Sequence, residues 1–176
     1  LINSVTGIKP GNLIGSKSKD GATNLAIFSS VVHLGSDPAL LGFILRPHYD
    51  VRRDTFENIK ETGVYTINHI HHHFVKKAHY TSAKFDKTLS EFETVNLKEE
   101  YIEDFYAPFV AESRVKMGMK LVETIPIPAN DTMMIVGQIE HLILPDSIVK
   151  ENGRVELGSV GNIGIAGLNQ YYQLKK

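Results

Sequence analysis

The chain contains no cysteine. That absence removes disulfides, iron–sulfur clusters, thiolate zinc sites and cysteine nucleophiles together, and makes a cytoplasmic location the default expectation. Charge of one sign is also scarce: 19 Lys and Arg stand against 20 Asp and Glu, a formal net charge of -1. With no basic half and no run of five like charges, neither nonspecific nucleic-acid binding nor polybasic membrane attachment is expected. No apolar stretch approaches the ~20 residues that a membrane-spanning helix needs. A positively charged region followed by an apolar one is missing as well, so no signal peptide is read. The first residue is Leu1 and not Met, which implies that the natural N-terminus lies further upstream.

Several catalytic and nucleotide-binding signatures are lacking too. "GNLIGSKS" (11–18) resembles a phosphate loop only faintly, because Ser16 stands where the P-loop lysine would follow its second glycine. "GSVGNIGIAG" (158–167) repeats Gly every third position, without the G-x-G-x-x-G spacing or the strand–helix unit of a dinucleotide site; a close-packed glycine-rich loop is the expectation. No G-x-S-x-G elbow and no H-E-x-x-H occur. Any enzymatic chemistry is therefore expected to reside in a cofactor, with the protein supplying the pocket.

What is present is an ordinary globular composition, 42% hydrophobic and 22% charged over 176 residues, enough for one domain with a real core. Most segments read as strands. "GNLIGSKS" and "TNLAIFSSVVHLG" flank "KDG", a good hairpin turn. "ALLGFILR" (39–46) is the continuous apolar run of a strand covered on both faces, and Asp37-Pro38 punctuates the step before it. "RRDTFENIKETG" carries the clearest helix start, with Asp54 as N-cap, Glu57 at capping-box spacing and Gly63 at the position after the C-cap. "VYTINHI" (64–70), "AESRVKMGMKLVETIPI" and "TMMIVGQIEHLIL" read as further strands, and "HHHFVKKAHY" as a short helix. Many strands with few short helices predict a mainly β, barrel-like fold and not an alternating βαβ sheet. There is no internal repeat.

Two stretches invite a functional reading. "RPHYDVRRDTFENI" (46–59) places Arg46, Arg52 and Arg53 before a helix N-terminus, the parts of a phosphate site, with Ser29 and Ser30 available from a neighbouring strand. The alternative is that these arginines simply pair with Asp50 and Asp54. "NHIHHHFVKKAHYTSAKF" (68–85) holds five histidines, His69, His71, His72, His73 and His79. On a strand His69, His71 and His73 would share one face, but no Asp, Glu or Cys stands at ligand spacing nearby. His71–His73 therefore reads as a polar strand-to-helix corner, and a metal-dependent enzyme built on the run is the lesser alternative.

Three ordered motifs resemble the flavin reductase-like family. They are "DGATNLAIFSSVVHLGSDPALLGF" (20–43), "RRDTFENIKETGVYTINHI" (52–70) and "AHYTSAKFDKTLSEFE" (78–93), with a Gly-rich approach to Tyr171 and Tyr172 behind them. Ala39 departs from the family's D-P-P pattern, and the triple histidine is foreign to it. The resemblance spans residues 1 to 172. It implies a single FMN-binding split β-barrel domain over 1–176, commonly homodimeric, with hydride transfer from NADH or NADPH to flavin N5. Carried over position by position, it implies that Asn24, Phe28, Ser29 and Ser30 contact the ring or ribityl chain. It gives Arg46, Arg53 and Thr55 the phosphate, and brings His79, Thr81 and Ser82 to the phosphate or ribityl chain. No catalytic residue and no metal are implied. Tyr101, Phe105, Tyr106 and Phe109 suit an interface, a lid or ordinary core. The same FMN site would also suit a redox carrier or sensor, or a relative of the pyridoxamine phosphate oxidases.

Overall fold

The computed structural model describes residues 1–47, 54–83, 85 and 89–174. Its main sheet has seven strands in the order β3-β2-β6-β9-β10-β5-β4. These are β2 (Asn12–Lys17), β3 (Thr23–Phe28), β4 (Val32–Ser36), β5 (Ala39–Leu45), β6 (Val64–His69), β9 (Lys116–Ile127) and β10 (Thr132–Ile143). A smaller sheet of order β1-β11-β12 joins β1 (Lys9–Pro10), β11 (Ile163–Ala166) and β12 (Gln170–Gln173). β7 (Glu99–Glu100) and β8 (Phe109–Val110) pair separately. The helices are short: α1 (Ile2–Val5), α2 (Asp54–Thr62), α3 (Val75–Tyr80) and α4 (Glu91–Thr94). None is long and apolar enough to cross a membrane.

The expected hairpin forms, with Gly21 at φ +97 in its turn. The expected strand over residues 23–35 is broken, however. β3 ends at Phe28 and β4 starts at Val32, and the two lie at opposite edges of the seven-stranded sheet. A link of residues 29–31 can join those edges only if the sheet curls back on itself, so it forms a barrel whose last seam stays open. Ser30 fastens the link. In the β4–β5 register Val32 faces Gly42, which puts Ser30 opposite Ile44. Its hydroxyl donates to the Ile44 carbonyl at 3.2 Å and accepts from the Ile44 N–H at 3.0 Å.

Alternation along β2 feeds two cores. Ile14 enters the barrel with Phe43, Leu45, Ile59, Tyr65, Ile67, Met117, Met119 and Ile135. Leu13 faces outward and packs with Leu25, Ile70, Phe74, Ala78, Phe92, Val110, Ile163 and Ile165, beneath α3, α4 and the small sheet. β2 is thus covered on both faces, and α2 places Ile59 in the barrel core. Asp54, expected as an N-cap, is itself helical within α2; Gly63 at φ +75 ends the helix as anticipated. Among the four aromatics of the 99–113 segment, Phe105 and Phe109 are core, whereas Tyr101 and Tyr106 remain exposed with the Lys17 ammonium 4.8 and 5.0 Å from their rings.

The histidine run and the glycine run, unrelated in sequence, dock on one another. His72 N–H donates to the Gly161 carbonyl at 3.0 Å, and Ile163 N–H to the Ile70 carbonyl at 3.1 Å. Gly161 has φ +73, and a Cβ there would lie 2.5 Å from His71 Nε2 and from His72 Nδ1. Only glycine fits, on backbone and on contact grounds. The expected loop over 158–167 is part strand, since β11 occupies its second half.

Tyr65 is fully buried in the barrel, and its hydroxyl has no hydrogen-bond partner among the described residues. A Cβ at Gly137 would strike that hydroxyl. Tyr65→Phe is therefore expected to raise unfolding free energy by about 1 kcal/mol, because it removes a buried unsatisfied group. Gly137→Ala should lower it by about 1–3 kcal/mol through overpacking. Urea denaturation midpoints measure both, and a clear loss of stability in Tyr65→Phe would contradict the assignment.

Candidate functional site

The open seam makes β3 an edge strand, and its residues divide by the two-residue period. Asn24, Ala26 and Phe28 face the barrel; Thr23, Leu25 and Ile27 face outward. The edge is half protected. Leu25 N–H donates to the Glu91 carboxylate at 3.1 Å, and burial raises the pKa of that carboxyl above its ordinary value. Thr23 Oγ1 lies 2.8 Å from Ser90 Oγ and donates to Glu99 Oε1 at 2.6 Å. Because Leu25 points its N–H to the open side, Ile27 two residues on points its N–H and C=O there as well. Neither has a partner among the described residues, and the half-buried Ser29 hydroxyl has none either.

Near the start of β3, three residues before Ile27, polar side chains hold α2 in place. Asn24 Nδ2 donates to Thr55 Oγ1 at 2.9 Å, and Asn58 Nδ2 donates to Ser16 Oγ at 3.2 Å. Ser16 and Asn24 are cross-strand partners, so two buried bonds pin the first turns of α2 across the β2–β3 hairpin. The Thr55 hydroxyl accepts from Asn24 and keeps its own proton to donate. Arg46, directly after β5, is exposed, with no partner among the described residues. Arg52 and Arg53 lie outside the described residues.

The structure thus separates the candidates drawn from the sequence. Asn24 and Thr55 are in direct contact. Phe28 packs edge-on to Phe43, with ring centroids 5.0 Å apart, and Ser30 is spent on Ile44; both side chains serve the barrel. The third motif does return to β3: α3 packs against its outward face, and Ser90 and Glu91 sit on its edge. Within that motif the Thr81 hydroxyl donates to the Ala78 carbonyl at 2.8 Å and the Ser82 hydroxyl to the His79 carbonyl at 2.7 Å, so both close the end of α3. His79 Nδ1 meets the Tyr171 hydroxyl at 2.6 Å. Glu91 was missed as an edge-capping residue, although its place in the "SEF" stretch was visible.

His71, His72 and His73 form a stack, with centroids 4.1–4.7 Å apart and ring planes tilted by 30–39°. A ring nitrogen from each of the three lies within 4.8 Å of the others, close enough to share a metal ion. His71 Nδ1 already accepts from His73 N–H at 3.2 Å, and His72 Nδ1 meets the Gly161 carbonyl at 3.2 Å. His69 Nδ1 accepts from Asn162 Nδ2 at 2.9 Å. Desolvation lowers the pKa of His69 and of His71 to about 4 each. The cluster packs the histidine run against the glycine run.

Comparison with known proteins agrees with this architecture. A family model described as flavin reductase like domain matches residues 9–157. A split-barrel structure from Shewanella frigidimarina NCIMB 400, assigned as a flavin reductase, superposes with a TM-score of 0.94 at 46% identity, covering 99% of this chain and 86% of that one. Nitrilotriacetate monooxygenase component B from Bacillus cereus gives 0.90 at 20% identity, covering 99% and 88%. Flavoredoxin of Desulfovibrio vulgaris (Miyazaki F) gives 0.82 at 21%, covering 96% and 88%. The last two, at such identities, show the fold alone.

The buried histidines carry a pH prediction. A histidine whose folded pKa lies below its unfolded value of about 6.5 binds fewer protons folded than unfolded, so its share of stability is present above that value and is lost as pH falls towards 4. Urea midpoints should drop between pH ~6.5 and ~4, and His69→Gln should flatten that drop. An unchanged slope in the variant would show that His69 does not titrate in this window.

Proposed function

The chain belongs to the flavin reductase-like family, and from that premise we propose that it binds FMN along the open edge of β3 and passes hydride from NADH or NADPH to it. The observation that carries the proposal is the unpaired stretch of that edge beside the pinned N-terminus of α2.

The donor set suits such a ligand. The rim of an isoalloxazine ring alternates hydrogen-bond acceptors with a donor, which the free N–H and C=O of Ile27 and the unpaired Ser29 hydroxyl complement. The phosphate end calls for a helix N-terminus and fixed cations. Thr55 supplies a hydroxyl proton that its bond from Asn24 leaves free, and Arg46, with Arg53 preceding α2, supplies charge. Asn24 holds Thr55 in position. His79, Thr81 and Ser82 act on this site through the placement of α3, since their described side-chain bonds are already made within the protein.

FMN, when bound, supplies the hydride-accepting N5. The chain's own work is to orient the ring against β3, keep the phosphate anchored and leave space for a nicotinamide. No side chain is required to give a proton or a nucleophile to that step.

Purified protein mixed with FMN should develop the visible absorption of protein-bound oxidised flavin and oxidise NADH or NADPH when both are supplied. Thr55→Val and Arg46→Gln should each weaken FMN binding about tenfold, the scale of one lost charge-assisted contact. Ser82→Ala should change it by less than about twofold, given its bond to the His79 carbonyl. A protein that takes up no FMN refutes the proposal. One that takes up FMN but oxidises neither nicotinamide is a redox carrier.

A further inference from the structure

A cavity of about 350 Å³ opens between α3 and β12, lined by Val75, Lys76, His79, Tyr80, Asn169 and Tyr171. We propose that it binds a planar aromatic carboxylate. This inference does not rest on the flavin reading.

Three rings stand in sequence at the site. His79 meets Tyr171 edge-on, with centroids 5.7 Å apart and planes at 87°, and meets Tyr80 at 6.4 Å and 65°. Tyr80 is 64% exposed although it is a large aromatic beside an open cavity. Exposed aromatic faces in a concave site favour a flat ring over an aliphatic one. Among the described residues no carboxylate lines the cavity, and Lys76 is exposed with no partner. The Tyr171 hydroxyl lies 2.6 Å from His79 Nδ1, so when the tyrosine donates, the imidazole carries its proton on Nε2 as a further donor. A cation, a donor and aromatic walls are the recognition set for a ring carrying one anionic group. Val75 and Tyr171 pack on the outer core, so the walls are held by the fold.

Benzoate, benzamide and cyclohexanecarboxylate, titrated into flavin-free and FMN-saturated protein and followed by saturation-transfer NMR, test this. Benzoate should bind saturably in both forms. Benzamide, lacking the charge, and cyclohexanecarboxylate, lacking the flat ring, should bind about tenfold more weakly. Lys76→Gln, at an exposed position that the fold does not need, should weaken benzoate about tenfold and leave benzamide unchanged. No saturable benzoate binding, equal binding of benzamide, indifference to Lys76→Gln, or displacement of benzoate by FMN would each overturn the proposal.

Discussion

The architecture depends on one short connection. Residues 29–31 join strands at the two outer edges of a seven-stranded sheet, and a link that short forces closure. Closure is completed by the Ser30 hydroxyl, which takes both polar groups of Ile44 where strand pairing would otherwise continue. Because a side chain makes that junction, β3 is not zipped to β4. A fully closed barrel has no edge to offer; this one keeps two edge strands, β3 and β4, and on β3 the main-chain groups of Ile27 have no partner among the described residues.

The rest of the molecule manages that edge. Glu91 takes the Leu25 N–H and Ser90 meets Thr23, so the first part of β3 is covered. Ile27 and Ser29 are left uncovered among the described residues. α2 is locked to the inward face of the same strand by Asn24–Thr55 and, one turn on, to β2 by Asn58–Ser16. Those bonds are buried, where leaving either partner unmet is costly, so the helix start cannot drift from the edge. A hydrogen-bonding strip and a helix N-terminus are therefore held at a constant spacing by the core that stabilises the barrel.

Much of this was legible in the residues themselves. The "KDG" hairpin, the apolar run of β5, the Gly63 stop of α2 and the dominance of strands all follow from local chemistry, and the family resemblance rested on motifs in their right order. What escaped were contacts between distant segments. Ser29 and Ser30 are adjacent and chemically identical, yet one hydroxyl is free and the other is consumed by β5; only the register of β4 against β5 decides which. The glycines of "GSVGNIGIAG" answer to distant residues, Gly161 to the imidazoles of His71 and His72, Gly164 to Ile8 and Gly167 to Ser4. The motif implies ligand contacts for Thr81 and Ser82, and it carries no sign that their hydroxyls donate to carbonyls three residues back at the end of α3. His79 meets Tyr171, a partner 92 positions away, a contact with no signal in the local sequence.

The central claim is that the uncovered edge of β3 is the flavin-binding edge. Amide correlation NMR spectra recorded while FMN is added to the protein test it most directly. The Ile27 and Ser29 amides should show the largest shifts, with Thr55 and the first turn of α2 moving alongside them. Shifts confined to the His71–Gly161 junction or to the α3–β12 cavity, with Ile27 and Ser29 unmoved, would contradict it.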